Sequence, residues 1–215
     1  NINKVVIRNA VFVLAIALFQ TCLTRADELQ TLRNCSFVET AWFDGDSFLV
    51  QDASGRQFTV RLYAVDCLEY HVNDDTDARR LRAQRRYFGI SNYGGSTATS
   101  ITTAKNLGRA AADAIKKELA EPFTVHTAFA DGRGDGKHKR YYGFVTTSRK
   151  EDLGEKLVTL GLARAYGVYR QTPTGWTRDE HRQWMRDMEL LAIKKGAGVW
   201  GLTNWESLPA ERRQD

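Results

Sequence analysis

The chain has 215 residues, 42% hydrophobic and 11% aromatic, with 31 basic against 26 acidic side chains. That composition supports one packed domain of ordinary size and excludes a wholly disordered chain. The formal charge of +5 raises the question of a polyanionic partner, which depends on where the cations lie.

Residues 1–26 carry Lys4 and Arg8, then an apolar run at 10–19 (AVFVLAIALF), then a polar patch ending in Thr24, Arg25 and Ala26. This charged, apolar, small-residue order is that of a secretory signal peptide, and the run is too short to span a bilayer comfortably. Its removal takes away Lys4, Arg8 and Arg25 and no acid, leaving 28 basic against 26 acidic residues and a net charge of +2. The expectation is an exported protein, secreted or periplasmic, with no membrane association after cleavage. Cys22 leaves with the segment. Cys35 and Cys67 remain, a pair that an exported protein can join if their Cα atoms approach. There is no Cys-x-x-Cys, and His71, His126, His138 and His181 have no paired spacing, so a zinc site is not expected.

Aromatic and β-branched runs at 36–43, 47–51 and 57–65 are separated by Asp44-Gly45 and by a turn over 52–55, which predicts an antiparallel three-stranded meander. Residues 74–90 read as a helix opened by acids and closed near Gly89. The five arginines between Arg79 and Arg86 read first as a solvated face and second as a phosphate-contacting surface. Residues 91–103 are rich in Gly, Ser and Thr and read as a loop. Leu107, Ala111, Ala114, Ile115 and Leu119 then predict an amphipathic helix over 104–119.

A strand at 123–129, a glycine-rich charged loop (DGRGDGKHKR) and a strand at 141–147 follow. Leu153, Leu157 and Leu160 give a short helix stopped by Gly161. Trp184, Met185, Met188, Leu191 and Ala192 give a longer one, ended at Gly196 and Gly198. The order suits an α+β fold: a five-stranded OB-type β-barrel with about three packed helices and an extra basic helix in an insertion at 70–103. The domain is expected over 35–203, with a tail at 204–215.

Asp46 follows the first hairpin turn and Asp66 ends the third strand, so pairing of strands two and three puts both at one sheet edge. Two adjacent carboxylates repel unless a cation or proton lies between them, and hard oxygen donors suit Ca²⁺ or Mg²⁺. Glu69 is close enough to act on a water there. Arg61 stands five residues before Asp66, so strict alternation puts the two on opposite faces, and they serve one site only at a barrel end or where the strand bends. Arg140 offers a second guanidinium, a fork that fits phosphate oxygens.

DGDSFLV, a turn, and VRLYAVDCLE together resemble the catalytic half of the staphylococcal nuclease (thermonuclease) family, whose pattern is roughly DGDT, a strand, RL, an apolar stretch and D-T-P-E. GKHKRYYGFV resembles its later arginine-led strand, LGEKLVTLGLARAYGVY its helix and Gly-Leu-Ala strand, and GVW the end of its last helix. The resemblance implies that Asp46 and Asp66, with the backbone carbonyl of Cys67, hold Ca²⁺. It implies that Glu69 is the general base and that Arg61 and Arg140 bind phosphate. Tyr169 matches a residue of the nucleotide pocket, with Gly167 at a second tyrosine position, and Lys137 matches a basic residue near the nucleotide phosphate. The implied activity is endonucleolytic cleavage of DNA and RNA leaving 3'-phosphate and 5'-hydroxyl ends, by a monomer with no stable protein partner. Leu68 replaces the family's proline, and the 70–103 segment is longer than in the type member. The alternatives are a catalytically inactive OB-fold nucleic-acid-binding module and an envelope binding protein with a structural calcium site.

Overall fold

The computed structural model describes residues 28–133 and 139–208, so the expected signal segment at 1–26 and Lys137 lie outside the described residues. Within them run β1 (Gln30–Val38), β2 (Ser47–Gln51), β3 (Gln57–Leu62), β4 (Val65–Cys67), α1 (Asp75–Tyr87), α2 (Thr97–Glu118), β5 (Phe123–Asp131), β6 (Arg140–Thr146), α3 (Leu153–Thr159), β7 (Ala163–Ala165) and α4 (Arg178–Lys195). The fold is mixed α+β. Five strands pair in the order β1–β2–β3–β6–β5, and β5 returns to β1 to close the ring.

The antiparallel meander forms with the predicted turn between β2 and β3, while β1 and β2 are joined by residues 39–46 rather than by a hairpin turn at Asp44-Gly45. Asp52 shapes the β2–β3 turn by accepting the N–H groups of Ser54 and Arg56, and β2 pairs antiparallel with both neighbours. The closure depends on contacts distant in sequence: β3 pairs parallel with β6, and β1 antiparallel with β5.

Three local expectations are corrected. The first strand lies at Gln30–Val38 rather than 36–43. Its first half is polar and largely exposed, so no alternation marks it; pairing with β5 holds it, across a bulge where Asn34 takes φ 55°. The third strand ends at Leu62 rather than running to Val65. Ala64 takes φ 60°, donates to the Val168 carbonyl and accepts from Tyr166 N–H, and the chain leaves the barrel as β4 to pair with β7. The loop expected over 91–103 becomes helical from Thr97, because Ser96 caps Thr99 N–H and the burial of Ser100 and Ala104 outweighs the weak helix propensity of Ser and Thr. Cys35 and Cys67 are both free and buried, so the possible disulfide is not formed.

Two apolar clusters hold the fold. The first fills the barrel with Phe48, Val50, Val60 and Val125 against Ile115 of α2 and Leu157 of α3. The second joins Leu68 to Leu81, Phe88, Ile90, Val199 and Trp200. Each fully buried large apolar side chain contributes about 1.5–3 kcal/mol. Leu68 is therefore the apolar link between β4 and helix α1. That helix starts at Asp74, whose side chain accepts from Thr76 and Asp77 N–H, and it buries Leu81, Gln84 and Arg85. Its arginine-rich face is only partly solvated: Arg85 donates to Ser100 Oγ at 2.7 Å and to the Ser91 carbonyl at 2.8 Å. Residues 204–208, assigned to the tail, begin inside the fold, with Asn204 N–H on the Gly89 carbonyl and Leu208 buried.

Candidate active site

The site begins with the turn before β2. Asp44 Oδ1 accepts Asp46 N–H at 3.1 Å and Ser47 N–H at 2.7 Å, which fixes the backbone that carries Asp46. Gly45 is required there, since a Cβ would lie 2.6 Å from the Ala111 Cβ of α2 and 2.7 Å from Cys67 Sγ. Asp46 is thereby pressed against β4, and its Oδ2 accepts Cys67 N–H at 3.0 Å.

The bend at Ala64 resolves the spacing problem of Arg61 and Asp66. Arg61 Nη1 lies 2.7 Å from Asp46 Oδ1, and its Nη2 donates to Asp66 Oδ1 at 3.4 Å. One guanidinium thus spans the two carboxylates. Arg140, opening β6, meets Arg61 at Ser47 Oγ, at 3.5 Å and 3.3 Å respectively. Arg140 also donates to the Arg133 carbonyl, while its buried Nε has no hydrogen-bond partner among the described residues.

Glu69 is placed by α1. Gln84 Oε1 accepts Glu69 N–H at 2.9 Å, and Gln84 Nε2 donates to the Cys67 carbonyl at 2.7 Å and to Asp66 Oδ2 at 3.0 Å. One turn earlier, Arg80 Nη2 lies 2.5 Å from Glu69 Oε1 and 3.9 Å from Asp66 Oδ1. Asp66 Oδ2 also receives Arg164 Nε at 2.7 Å; that guanidinium is held between the rings of Tyr166 and Tyr87, with centroids at 4.1 and 4.8 Å.

Four carboxylates, Asp44, Asp46, Asp66 and Glu69, therefore face four guanidiniums, from Arg61, Arg80, Arg140 and Arg164. Burial, joined by the charges of Asp46 and Glu69, pushes Asp44 well above the usual carboxylate range. Burial would raise Asp46 too, but Arg61 and the Cys67 N–H outweigh it and hold Asp46 below its ordinary value. Burial pushes Glu69 up to about 7 despite Arg80, a value suited to exchanging a proton near neutrality. Burial and the surrounding carboxylates raise the Cys67 thiol strongly, so it is a poor nucleophile.

A cleft of about 620 Å³ opens over this cluster, lined among others by Trp42, Asp44, Ser47, Glu69, Arg80 and Arg140. The structure thus brings together Asp46, Arg61, Asp66, Cys67, Glu69 and Arg140. Tyr169 stands apart from the cleft lining: its ring packs on His181 at 5.6 Å and under the Arg182 guanidinium at 5.3 Å. Asp44, Ser47, Arg80, Gln84 and Arg164 were not singled out from the sequence. The Asp44-Gly45-Asp46 repeat of acids and the four-residue spacing of Arg80 and Gln84 on one helix face were the signals available for three of them.

The donor chemistry of Asp46, Asp66 and the Cys67 carbonyl fits a hard divalent cation. Those oxygens are engaged here by Arg61, Arg164 and Gln84, and among the described residues no group of three or more His, Cys, Asp or Glu side chains is placed to hold an ion. A bound cation would take its oxygens from those donors.

A family model described as staphylococcal nuclease homologue matches residues 59–201, more than half of the chain and including Arg61, Asp66, Glu69 and Arg140. No curated protein matches the chain.

Proposed function

The chain belongs to the staphylococcal nuclease homologue family, and we propose that it is an exported endonuclease that hydrolyses phosphodiester bonds of DNA and RNA to 3'-phosphate and 5'-hydroxyl ends, with Ca²⁺ as cofactor. The observation that carries the reading is the convergence of Arg61 and Arg140 on Ser47 Oγ, at a cleft lined by Ser47, Arg140 and Glu69, the last a carboxylate raised to about 7. A five-stranded ring of this order suits an OB-type barrel, whose face commonly binds nucleic acid.

The chemistry follows from the charges. Arg140 lines the cleft and meets Arg61 at Ser47 Oγ, so a phosphodiester seated at Ser47 would lie beside two guanidinium groups whose charge neutralises that gathering on the phosphoryl oxygens. Glu69 would accept the proton of a water attacking phosphorus, the P–O5' bond would break as the new P–O bond forms, and the departing 5'-oxygen would take a proton from solvent to become the 5'-hydroxyl. Asp46, Asp66 and the Cys67 carbonyl would hold Ca²⁺, which when bound supplies Lewis acidity toward a phosphoryl oxygen.

The engagement of Asp66 and the Cys67 carbonyl by Gln84 and Arg164 favours a second reading, a nucleic-acid-binding module without catalysis. Incubation of the protein with single-stranded DNA, duplex DNA and RNA, in Ca²⁺ and in chelator, with end-mapping of products, separates the two. Calcium-dependent cleavage to 3'-phosphate ends supports the nuclease. Binding without cleavage supports the module.

A further inference from the structure

Helix α1 contributes one cation, Arg80, to the lining of the cleft. Arg80 lines the same cleft as Arg140 and Glu69, with its side chain 36% exposed. Its position is rigidly set: α1 is capped by Asp74 at one end, and at Gln84, one turn beyond Arg80 on the same face, it is tied into the 66–69 segment by three hydrogen bonds. The acids at the start of α1 that share the cleft wall are already occupied. Asp74 accepts Thr76 and Asp77 N–H, and Asp77 accepts Asn73 N–H.

We propose that Arg80 is a third substrate-phosphate arginine, released from Glu69 when a nucleic-acid phosphate enters the cleft. The inference rests on the nucleic-acid reading above. Arg80 Nη2 sits 2.5 Å from Glu69 Oε1, and Arg80, Glu69, Ser47 and Arg140 all line one cleft, the surface on which the phosphates of a bound strand would lie. A guanidinium can exchange one carboxylate for a phosphate dianion or diester with no change of charge on the protein. Such an exchange does two things together. It adds a contact to the backbone of the bound strand, and it removes the cation that occupies Glu69, the group proposed to take the proton of the attacking water. Arg80 thus couples substrate arrival to exposure of the base. The other α1 arginines are placed differently: Arg85 is buried on Ser100 and Ser91, and Arg82 is exposed and is not among the cleft-lining residues.

The test is fluorescence-anisotropy titration of a labelled phosphorothioate oligothymidine of about twelve nucleotides over a series of salt concentrations, for wild type, Arg80→Gln, Arg82→Gln, Arg140→Gln, Glu69→Gln and the Arg80→Gln/Glu69→Gln pair, with circular dichroism melts as a folding control. Arg80→Gln should weaken binding roughly 5- to 10-fold and flatten the dependence of log K on log salt by about one phosphate contact. Arg82→Gln should change neither. Glu69→Gln, which removes the competing charge, should tighten binding, and the gain should vanish in the double variant. The inference is overturned if Arg80→Gln binds as wild type while Arg140→Gln is weakened, or if Arg80→Gln and Arg82→Gln weaken binding equally. No binding by the wild-type protein overturns the nucleic-acid reading and this inference with it.

Discussion

Gln84 donates its amide to the carbonyl oxygen of Cys67 at 2.7 Å, tying helix α1 to the backbone of the strand that carries Asp66. The same side chain accepts Glu69 N–H at 2.9 Å. The segment that carries Glu69 is braced by a buried amide on one side and by α2 on the other.

Gln84→Ala would leave the Glu69 N–H and the Cys67 carbonyl without their buried partner. Unmet polar groups of this kind cost about 1–3 kcal/mol each, so the variant should lose about 2–4 kcal/mol in urea denaturation. A loss below about 0.5 kcal/mol would show that the amide is not holding the segment.

Arg61 spans Asp46 and Asp66, and removing a guanidinium from buried carboxylates leaves uncompensated charge. Arg61→Met should destabilise by about 3–5 kcal/mol. Adding Asp46→Asn should recover part of that, giving a coupling of about 1–3 kcal/mol in a double-mutant cycle. Simple additivity would contradict the ion pair's role.

The β2–β3 hairpin was readable because the 52–55 turn and the short aromatic and β-branched runs beside it are local signals; the β1–β2 connection was not, since it spans 39–46 rather than a tight turn at Asp44-Gly45. The bend at Ala64 was not readable. An alanine with φ 60° has no sequence signature, yet that bend brings Arg61 and Asp66 together across an odd spacing. Helix α2 was shortened in the sequence reading because Thr97, Thr99 and Ser100 favour loops, while the fold buries Ser100 under α1. Asp46, Asp66 and Glu69 were legible as acids at strand ends. Arg80, Gln84 and Arg164 were not, since their roles depend on α1 and β7 folding back onto β4, contacts that local pattern does not encode.

Gly108 of α2 faces the β4–α1 connection: a Cβ there would lie 2.3 Å from the Leu68 carbonyl oxygen. Backbone cannot yield cheaply, so Gly108→Ala should shift Leu68 and with it Glu69. The expected result is a fall of roughly 10-fold or more in cleavage rate, with a stability loss of about 1–3 kcal/mol. Unchanged activity would mean that α2 does not set the position of Glu69.

Asp152 caps α3 by accepting Glu155 N–H at 2.9 Å, and burial lifts its carboxyl to about 6. An acid whose folded value exceeds its unfolded value binds a proton on folding. Its contribution is therefore greatest near pH 4 and is lost as pH rises to about 6, by about 2–3 kcal/mol. Asp152→Asn keeps a capping oxygen without the charge. Thermal melts should show the variant equal to wild type near pH 4 and more stable above pH 6. A variant less stable than wild type at pH 7 would contradict the burial effect.

The central claim is that Glu69 and Arg140 perform hydrolysis in one cleft. The most direct measurement is the single-turnover cleavage rate of a single-stranded DNA in Ca²⁺ for wild type, Glu69→Gln and Arg140→Ala, each verified as folded. The account predicts measurable wild-type cleavage and a loss of about 10²–10⁴-fold in each variant. Rates for both variants within about twofold of wild type would contradict it.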